Sequence, residues 1–305
     1  MQQPLKIGID LMGNDNAPQD LLAALNGIPL PEGVGLVAIG APEFEQYRGS
    51  LHYVTAPEVI GMEEPPLLAL RRKKNASINV GMRLLKEGKL SALVSAGNTG
   101  ALVSSAKMIL STLPGILRPC LLALMPTKKN PVAVLDVGAN VQVKVSHLIQ
   151  FASIGAAFQK TRGIRLPRVG LLNIGSEALK GTSELRLAYH ELQNKTPFRF
   201  VGNIEAKNVF ENSCEIDVLV TDGFTGNVFL KTAEGIANLI LDPSELKKFQ
   251  SLHYAEYPGA LLVGVRGIVI KCHGYSTPKE LTNAVLGAIE LAKEGFVQKL
   301  LNDLR

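Results

Sequence analysis

The sequence predicts an α/β protein in which a parallel or mixed sheet lies between two layers of helices. Short apolar runs typical of buried strands alternate along the 305 residues with segments of helical apolar spacing. Polar loops that contain glycine follow several of these runs, as they do at the carboxyl ends of strands in such folds. Because aromatic residues are scarce and Trp is absent, we expect a core of Leu, Ile, Val and Ala.

Strands are predicted where short apolar, often β-branched runs are followed by polar loops or turns. In order they are Lys6–Leu11, Val34–Gly40, Leu51–Thr55, Leu90–Val94, Leu121–Leu124, Val132–Val137, Arg168–Ile174, Phe198–Gly202, Ile216–Val220 and Ile268–Ile270.

Helices are predicted from apolar positions three and four residues apart and from capping residues. The first begins near Pro18 with Asn16 as its cap, and another near Ala41-Pro42. The others are Ser77–Glu87, Leu102–Leu110, Ser146–Thr161, Glu184–Leu192, Val228–Leu241, the short Ser244–Leu252 and Pro278–Leu301, the last capped by Ser276 or Thr277 with Glu280.

Five of the loops that follow strands carry Gly together with Asn, Asp, Ser or Lys. They are residues 12–18, 95–100, 136–144, 173–181 and 221–227. Two of them, 95–100 and 221–227, contain Gly, Thr and Asn directly before a helix, where free N–H groups and the helix dipole favour an anion. We therefore expect a composite polar site that binds phosphate.

Several classes of function lack their motifs. The chain has no G-x-S-x-G elbow, no H-E-x-x-H and no clustered His and Cys, which disfavours acyl-enzyme chemistry on Ser and a metal centre. It also lacks a G-x-x-x-x-G-K-[ST] loop and a G-x-G-x-x-G fingerprint, so neither ordinary ATP hydrolysis nor dinucleotide binding is expected. Amides, hydroxyls, lysines and helix N-termini remain, and these groups suit direct transfer with phosphate as a reactant.

The charge and the cysteines indicate where the protein works. A formal charge of +5 favours anionic partners without the dense basic patch of a nucleic-acid-binding protein. Cys120, Cys214 and Cys272 are far apart in sequence, which fits a reducing compartment. The chain shows neither a signal-peptide pattern nor an apolar run of roughly 18 residues, so we expect a cytoplasmic protein.

Six blocks together resemble the bacterial phosphate acyltransferase family (PlsX). They are Asp10–Gly13 with Asp15 and Ala17-Pro18, Arg71–Ser77, Ser95–Ala101, Leu135–Val141, Arg168–Gly175 and Thr221–Val228. The blocks occur in the family's order over nearly the whole chain, with Gly259-Ala260 and His273-Gly274 near the end.

The resemblance implies an acyltransferase that moves a fatty acyl group from the thioester of acyl carrier protein to inorganic phosphate. The product would be acyl phosphate for phospholipid synthesis, used by a downstream membrane acyltransferase. The family is similar in fold to isopropylmalate dehydrogenases and phosphotransacetylases, uses no cofactor, and is typically a homodimer loosely associated with the membrane. It implies one domain over residues 1–305, with a helical or loop excursion at about 236–258. Ile236–Tyr257 is shorter than the family's usual amphipathic helical region, which weakens the expectation of membrane association, and Leu239–Leu241 and Leu261–Val263 would supply the small apolar patch that remains for it.

From this chemistry we form a site hypothesis with three groups of residues. The residues expected in catalysis, as donors to the developing oxyanion or as a countercharge to phosphate, are Asn98, Asn140, Asn227 and Lys180, with Lys144 as a second cation. Those expected to bind phosphate or the acyl group are Asp10, Gly97, Thr99, Gly100, Asp136, Gly223, Thr225 and Gly226. The cations expected to dock the acidic carrier protein are Arg71, Arg72, Lys73 and Lys74. Asp10, Asp136 and Asp222 are expected to orient donors rather than to act as bases.

Three departures and three alternatives accompany the resemblance. The family's opening motif usually reads M-G-G-D-H-A-P, whereas this chain has Asn14 and Asn16, with no imidazole expected near Asn16; Gln142 stands where Asp is usual. The alternatives are a phosphotransacetylase-like enzyme that uses acyl-CoA, a metal- and NAD-dependent dehydrogenase of the isopropylmalate type, and a non-catalytic scaffold that binds carrier protein.

Overall fold

A computed structural model describes residues 4–127, 129–194, 196–211, 215–240 and 259–304. Their strands are β1 Leu5–Asp10, β2 Val34–Gly40, β3 His52–Thr55, β4 Ala92–Ser95, β5 Cys120–Met125, β6 Val132–Leu135, β7 Arg168–Asn173, β8 Arg199–Glu205, β9 Val218–Val220, β10 Ala260–Val263 and β11 Ile268–Lys271. Their helices are α1 Pro18–Asn26, α2 Pro66–Arg72, α3 Ser77–Lys86, α4 Thr99–Ile109, α5 Val145–Thr161, α6 Ser183–Leu192, α7 Gly223–Ile240, α8 Pro278–Lys293 and α9 Phe296–Asp303. Short 3-10 helices cover Pro42–Tyr47 and Ala206–Phe210.

The chain divides into two compact units. Unit 1 contains the described residues of 1–114 and 255–297, and unit 2 those of 115–254 and 298–305.

Unit 1 is built on six strands in the order β3-β2-β1-β4-β11-β10. All neighbours are parallel except β10, which is antiparallel to β11. α3 packs on β1, β2 and β4 and also contacts α4. α8 packs on β1, β4 and β11 and also contacts α1. The strands are covered on both faces, and this explains why their residues form almost continuous apolar runs.

Unit 2 is built on five strands in the order β5-β6-β9-β7-β8. β5 and β6 are antiparallel, and the other pairs are parallel. α5 packs on β6, β7 and β9 and also contacts α6, while α7 contacts β5 and β6. The predicted class, an α/β fold with a mostly parallel sheet between helical layers, is confirmed.

The structure corrects several predicted elements. Leu261–Val263 is not an exposed apolar patch but forms most of the buried strand β10. α1 is capped at Ala17 without a side-chain hydrogen bond, so the predicted Asn16 cap is wrong. The long C-terminal helix is two helices, α8 and α9, because Gly295 adopts a φ of +63° between them.

The α8 cap is Thr277, whose side chain and that of Glu280 form a capping box. α7 begins at Gly223, five residues before the predicted start. The predicted helix Ser244–Leu252 and the excursion beyond residue 240 lie outside the described residues. Within the described ranges, no helix is both long enough and apolar enough to span a membrane.

Candidate active site

In unit 1, three neighbouring strands end with polar side chains in register. Asp10 ends β1, Ser95 ends β4 and Lys271 ends β11, and Ser95 is the register partner of both other residues. Because these strands are parallel, their carboxyl ends share one edge of the sheet, the usual location of ligands in such folds. Asp10 was expected there, whereas Lys271 was not singled out by sequence analysis.

Asp10 is buried and hydrogen-bonded on both carboxylate oxygens. The Ser95 hydroxyl donates to Oδ2 at 2.8 Å, the N–H of Met12 donates to Oδ1 at 3.0 Å, and Ser77 adds a side-chain hydrogen bond. Burial raises the pKa of Asp10 to about 6, opposed by these hydrogen bonds and by the charge of Lys271. The group is therefore an anion at neutral pH, with its donors already in place.

Lys271 directs its ammonium group to backbone carbonyls of the loop after β4 and of its own strand end. Nζ donates to the carbonyl of Ala96 at 3.0 Å and to that of Cys272. The side chain is only 9% exposed. A sequence signal existed, because a lysine directly after a buried apolar run must either leave the core or find partners within it.

Glycines and asparagines join the opening loop to its neighbours. A Cβ on Gly13, whose φ is +76°, would lie 2.9 Å from Cα of Gly97, so the two loops touch at their glycines. The N–H of Asp15 donates to the carbonyl of Gly274 at 2.7 Å, and Nδ2 of Asn16 donates to that of Ser276 at 2.7 Å.

The 272–276 loop brings a histidine to this part of unit 1. His273 belongs to that loop, accepts a backbone hydrogen bond from Ser276, and stacks on Tyr275 with ring centroids 5.3 Å apart. Because Asn16 donates to the carbonyl of Ser276, the loop that carries His273 contacts the opening loop. Asn16 and Ser276 are 260 residues apart, so local sequence patterns do not reveal this contact.

The N-terminus of α4 presents donors in the predicted place. Asn98 is the N-cap and accepts a hydrogen bond from the N–H of Ala101 at 3.0 Å. The N–H groups of Thr99 and Gly100 donate to no acceptor among the described residues. Nδ2 of Asn98 donates to the carbonyl of Met62 at 3.0 Å and to that of Gly61, so this amide ties the 61–64 loop to α4.

In unit 2, Asp136 follows β6 and is fully buried. The N–H groups of Leu121, Gly138 and Ala139 donate to its Oδ1, and both the backbone N–H and Nδ2 of Asn140 donate to its Oδ2. Burial raises its pKa, and these donors oppose the rise by favouring the charged form. Asp136 therefore organises the 136–140 loop, as expected for an orienting group.

The side-chain amide of Asn140 donates two hydrogen bonds, both to acceptors within unit 2. Nδ2 donates to Asp136 at 2.8 Å and to the carbonyl of Pro119 at 2.9 Å. Asn227 differs, since its side chain forms no hydrogen bond to another described residue and lies beside Gly138. Of these two amides, Asn227 is the one with donors left for a ligand.

The first turn of α7 is packed rather than open. The N–H of Gly223 donates to the carbonyl of Asn140 at 2.7 Å, and a Cβ on Gly226 would overlap the carbonyl oxygen of Asp136. Asp222 receives the N–H of Thr225 at 2.9 Å and that of Gly226 through its backbone carbonyl. Gly223, Thr225 and Gly226 thus bind the 136–140 loop or the cap, and α4 offers an anion more free N–H groups than α7 does.

Lys180 lies on the loop after β7, which two asparagines shape. Nδ2 of Asn173 donates to the carbonyl of Lys180 at 3.1 Å, and Nδ2 of Asn203 donates to that of Glu177 at 2.9 Å. The Lys180 side chain is exposed and forms no ion pair with a described residue. Lys144 is the N-cap residue of α5 and is also exposed.

The four expected docking cations fall into two groups. Arg71, Arg72 and Lys74 are exposed, and none forms an ion pair with a described residue. Lys73 instead pairs with Glu64 at 2.6 Å and donates to the carbonyl of Val59 at 2.8 Å, so its charge is used within unit 1. The free cationic surface is therefore Arg71, Arg72 and Lys74.

Metal-ligating side chains are not clustered in the described part of the chain. No group of three His, Cys, Asp or Glu residues there could hold a metal ion. Both described cysteines, Cys120 and Cys272, are buried, and burial raises the pKa of each thiol above its ordinary value. The candidate groups of the site are thus carboxylates, amides, hydroxyls, ammonium groups and backbone N–H groups.

Comparison with known proteins gives full-length relatives. A family model described as fatty acid synthesis protein matches residues 5–243 and 237–299. A phosphate acyltransferase of Desulforamulus reducens is 39% identical, with 98% of this chain and 97% of the relative covered. Those of Pelotomaculum thermopropionicum and Chlamydia abortus are 41% and 38% identical, again over at least 94% of both chains.

Solved structures agree on the fold at low sequence identity. A phosphotransacetylase from Streptococcus pyogenes has a TM-score of 0.65 at 16% identity, covering 97% of this chain and 95% of that one. A 4-hydroxythreonine-4-phosphate dehydrogenase from Klebsiella pneumoniae has 0.58 at 12%, covering 94% and 99%. At such identities the likeness concerns fold alone, whereas the matches above concern the sequence itself. The chain therefore belongs to the fatty acid synthesis protein family and is an enzyme of the phosphate acyltransferase type.

Proposed function

We propose that this enzyme transfers a fatty acyl group from the thioester of acyl carrier protein to inorganic phosphate. The product is acyl phosphate, which supplies phospholipid synthesis through a downstream membrane acyltransferase. The observation that carries the proposal is the N-terminus of α4, where Thr99 and Gly100 present N–H groups without acceptors among the described residues.

Phosphate fits this N-terminus for electrostatic and steric reasons. Free N–H groups and the helix dipole both favour a dianion there. Asn98 caps the helix by accepting the N–H of Ala101, which fixes the direction of the helix start. Asp10 does not contact the anion in this proposal but orients Ser95 and the loop that precedes the helix.

The reaction needs no covalent intermediate on the protein. An oxygen of phosphate forms a bond to the thioester carbon, the carbon–sulfur bond breaks, and sulfur leaves with the electron pair and takes the proton of hydrogen phosphate. The protein must hold and desolvate the nucleophile and stabilise the oxyanion. In unit 2 we propose Lys180 as a cation and Asn227 as an amide donor for the reaction, since the Lys180 side chain is exposed and neither side chain has a hydrogen-bond or ion-pair partner among the described residues.

The carrier protein is proposed to dock on Arg71, Arg72 and Lys74. These residues lie at the end of α2, whose first residue Pro66 contacts Gly100 in the first turn of α4. α2 has seven residues, so the cations are roughly 10 Å from that turn along the helix. An acidic carrier would meet complementary charge close to the proposed phosphate site.

A direct assay tests the reaction and the donor together. Purified protein is mixed with long-chain acyl-carrier protein and inorganic phosphate, and acyl phosphate is trapped with hydroxylamine, beside a parallel reaction with acyl-CoA. We expect phosphate-dependent product from the carrier-protein thioester. Product from acyl-CoA alone would support the phosphotransacetylase-like alternative instead, and carrier binding without product from either donor would support the scaffold.

We also propose a cytoplasmic homodimer that associates peripherally with the membrane. Support for a dimer or membrane contact comes from α7. Its side chains Phe224, Val228 and Leu239 are each more than half exposed and recur at helical spacing. Sedimentation equilibrium tests the dimer, and co-sedimentation with anionic phospholipid vesicles tests membrane association.

A further inference from the structure

Three hydrogen bonds and one electrostatic attraction, together called the ring, hold one peptide group before α4. Nζ of Lys271 donates to the carbonyl of Ala96 at 3.0 Å, and the N–H of Gly97, in the same peptide group, donates to Oγ of Ser95 at 3.1 Å. The Ser95 hydroxyl donates to Asp10 at 2.8 Å. The attraction between Asp10 and Lys271 closes the ring.

Both charged members of the ring are buried. Asp10 is 2% exposed and Lys271 is 9% exposed. Removing two opposite charges from water costs several kcal/mol per ion, and apolar side chains of similar volume are often no less stabilising. A contribution to stability is therefore a weak explanation for burying Asp10 and Lys271 together. The geometry of their contacts suggests a role in positioning the backbone.

The ring fixes the direction of the chain as it enters α4. The Ala96–Gly97 peptide group is held on its carbonyl side by Lys271 and on its N–H side by Ser95. Asn98, the next residue, is the N-cap of α4. The orientation of this peptide group consequently sets where the N–H groups of Thr99 and Gly100 point.

We propose that Lys271 is a positioning residue for the phosphate nucleophile, and that it acts through the Ala96–Gly97 peptide group and with Asp10 to aim the N-terminus of α4. The inference rests on the proposed function of that N-terminus. It adds a residue from the last strand of unit 1 to a site otherwise assigned to loops.

The test is Lys271→Met in the full-length enzyme, with the hydroxylamine assay run against phosphate and against thioester. We expect KM for phosphate to rise about 10- to 100-fold, as for loss of a charge-assisted hydrogen bond, with little change in KM for the thioester. Lys89→Met is the matched control, because Lys89 is exposed, forms its one ion pair within the described residues with Glu87, and precedes the amino end of β4, opposite to the end that Ser95 forms. Its kinetic constants should equal those of the wild type.

Lys271→Met leaves Asp10 buried without its countercharge, so the single variant risks failing to fold. The double variant Lys271→Met/Asp10→Asn removes both charges and should recover stability. We expect it to fold and to keep the high KM for phosphate. A folded single or double variant with wild-type KM for phosphate would overturn the positioning role.

A binding measurement separates this inference from the proposed reaction. Inorganic phosphate should raise the melting temperature of the wild type and raise that of the folded Lys271 variants much less, whichever thioester is the donor. If the wild type uses only acyl-CoA, the carrier-protein proposal fails, and the kinetic comparison is made with acyl-CoA. Equal protection of wild type and variants by phosphate would refute the role of Lys271 even if the reaction is as proposed.

Discussion

Asp10 shows how the fold changes the chemistry of a single residue. In an unfolded chain its carboxyl group has an ordinary pKa of 3.8, whereas burial in unit 1 raises that pKa to about 6. Hydrogen bonds from Ser77, Ser95 and Met12, and the charge of Lys271, limit the rise. Each pKa unit is worth about 1.4 kcal/mol, so the anion is kept at a cost in stability.

The raised pKa predicts that the stability of the wild type, measured relative to Asp10→Asn, depends on pH. The pKa of Asp10 is higher in the folded protein than in the unfolded chain, so the folded protein binds the carboxyl proton more tightly. The stability that this protonation contributes is therefore lost as pH rises from about 4 through about 6. Relative to Asp10→Asn, the wild type should lose about 2–3 kcal/mol of unfolding free energy between pH 4 and pH 7. Urea unfolding of both proteins across this range measures it, and parallel pH curves would contradict the buried, raised pKa.

Lys180 is predicted to matter for turnover but not for folding. Its side chain is exposed and forms no ion pair with a described residue, so Lys180→Ala should change unfolding free energy by no more than about 0.5 kcal/mol. Loss of a countercharge should lower the rate at limiting phosphate about tenfold or more. Lys107→Ala, an exposed lysine at the far end of α4, is the control. Full turnover of Lys180→Ala at limiting phosphate would remove its proposed role.

At the scale of elements, two helices with similar opening sequences are used differently. α4 begins with Thr99 and Gly100, whose N–H groups have no acceptors among the described residues. α7 begins with Gly223 and Gly226, which instead let the helix approach the 136–140 loop. Similar opening sequences therefore leave backbone N–H groups free at the start of α4, whereas at the start of α7 they allow close packing.

Close packing predicts opposite effects for two glycines of α7. Gly226→Ala places a Cβ on the carbonyl oxygen of Asp136, a rigid and buried backbone atom, so it should destabilise unit 2 by about 2 kcal/mol or more. Gly235→Ala meets no atom within 4 Å and should stabilise the helix by up to about 1 kcal/mol. Thermal or urea unfolding compares the two. Equal effects would show that the α7 start is not tightly packed.

At the scale of the whole molecule, the small positive charge becomes useful through its distribution. The chain carries a formal charge of +5, and three exposed cations lie at the end of α2. Complementary charge mainly accelerates encounter and is screened by salt. Recognition of an acidic carrier protein should therefore weaken with ionic strength.

Charge reversal at the end of α2 tests this recognition. Arg72→Glu should raise KM for acyl-carrier protein about tenfold at low salt and leave KM for phosphate unchanged. Lys86→Glu makes the same charge change at the end of α3, where the chain returns toward the start of β4, and should have little effect. If Arg72→Glu left the apparent affinity for carrier protein unchanged, α2 would not be the docking surface.

The α/β class, most strands and helices, and the family follow from the amino-acid sequence alone. Buried parallel strands form apolar runs whose type is written in consecutive residues, and Val34–Gly40 was predicted to the residue. Asp10, Asp136 and the α4 loop could be found because each directly follows such a run. The strand β10 was missed because three of its four residues, Leu261–Val263, were interpreted as a surface patch.

Which of those polar residues are free to bind a ligand depends on tertiary contacts. Whether Lys73, Asn98 and Asn140 face solvent or spend their donors within the protein depends on partners that are not their neighbours along the helical or strand repeat. Lys271 reaches Ala96 across 175 residues of sequence. Such contacts arise from the order and register of the strands in the sheet. A local sequence pattern does not contain this information, because the contacting residues are far apart along the chain.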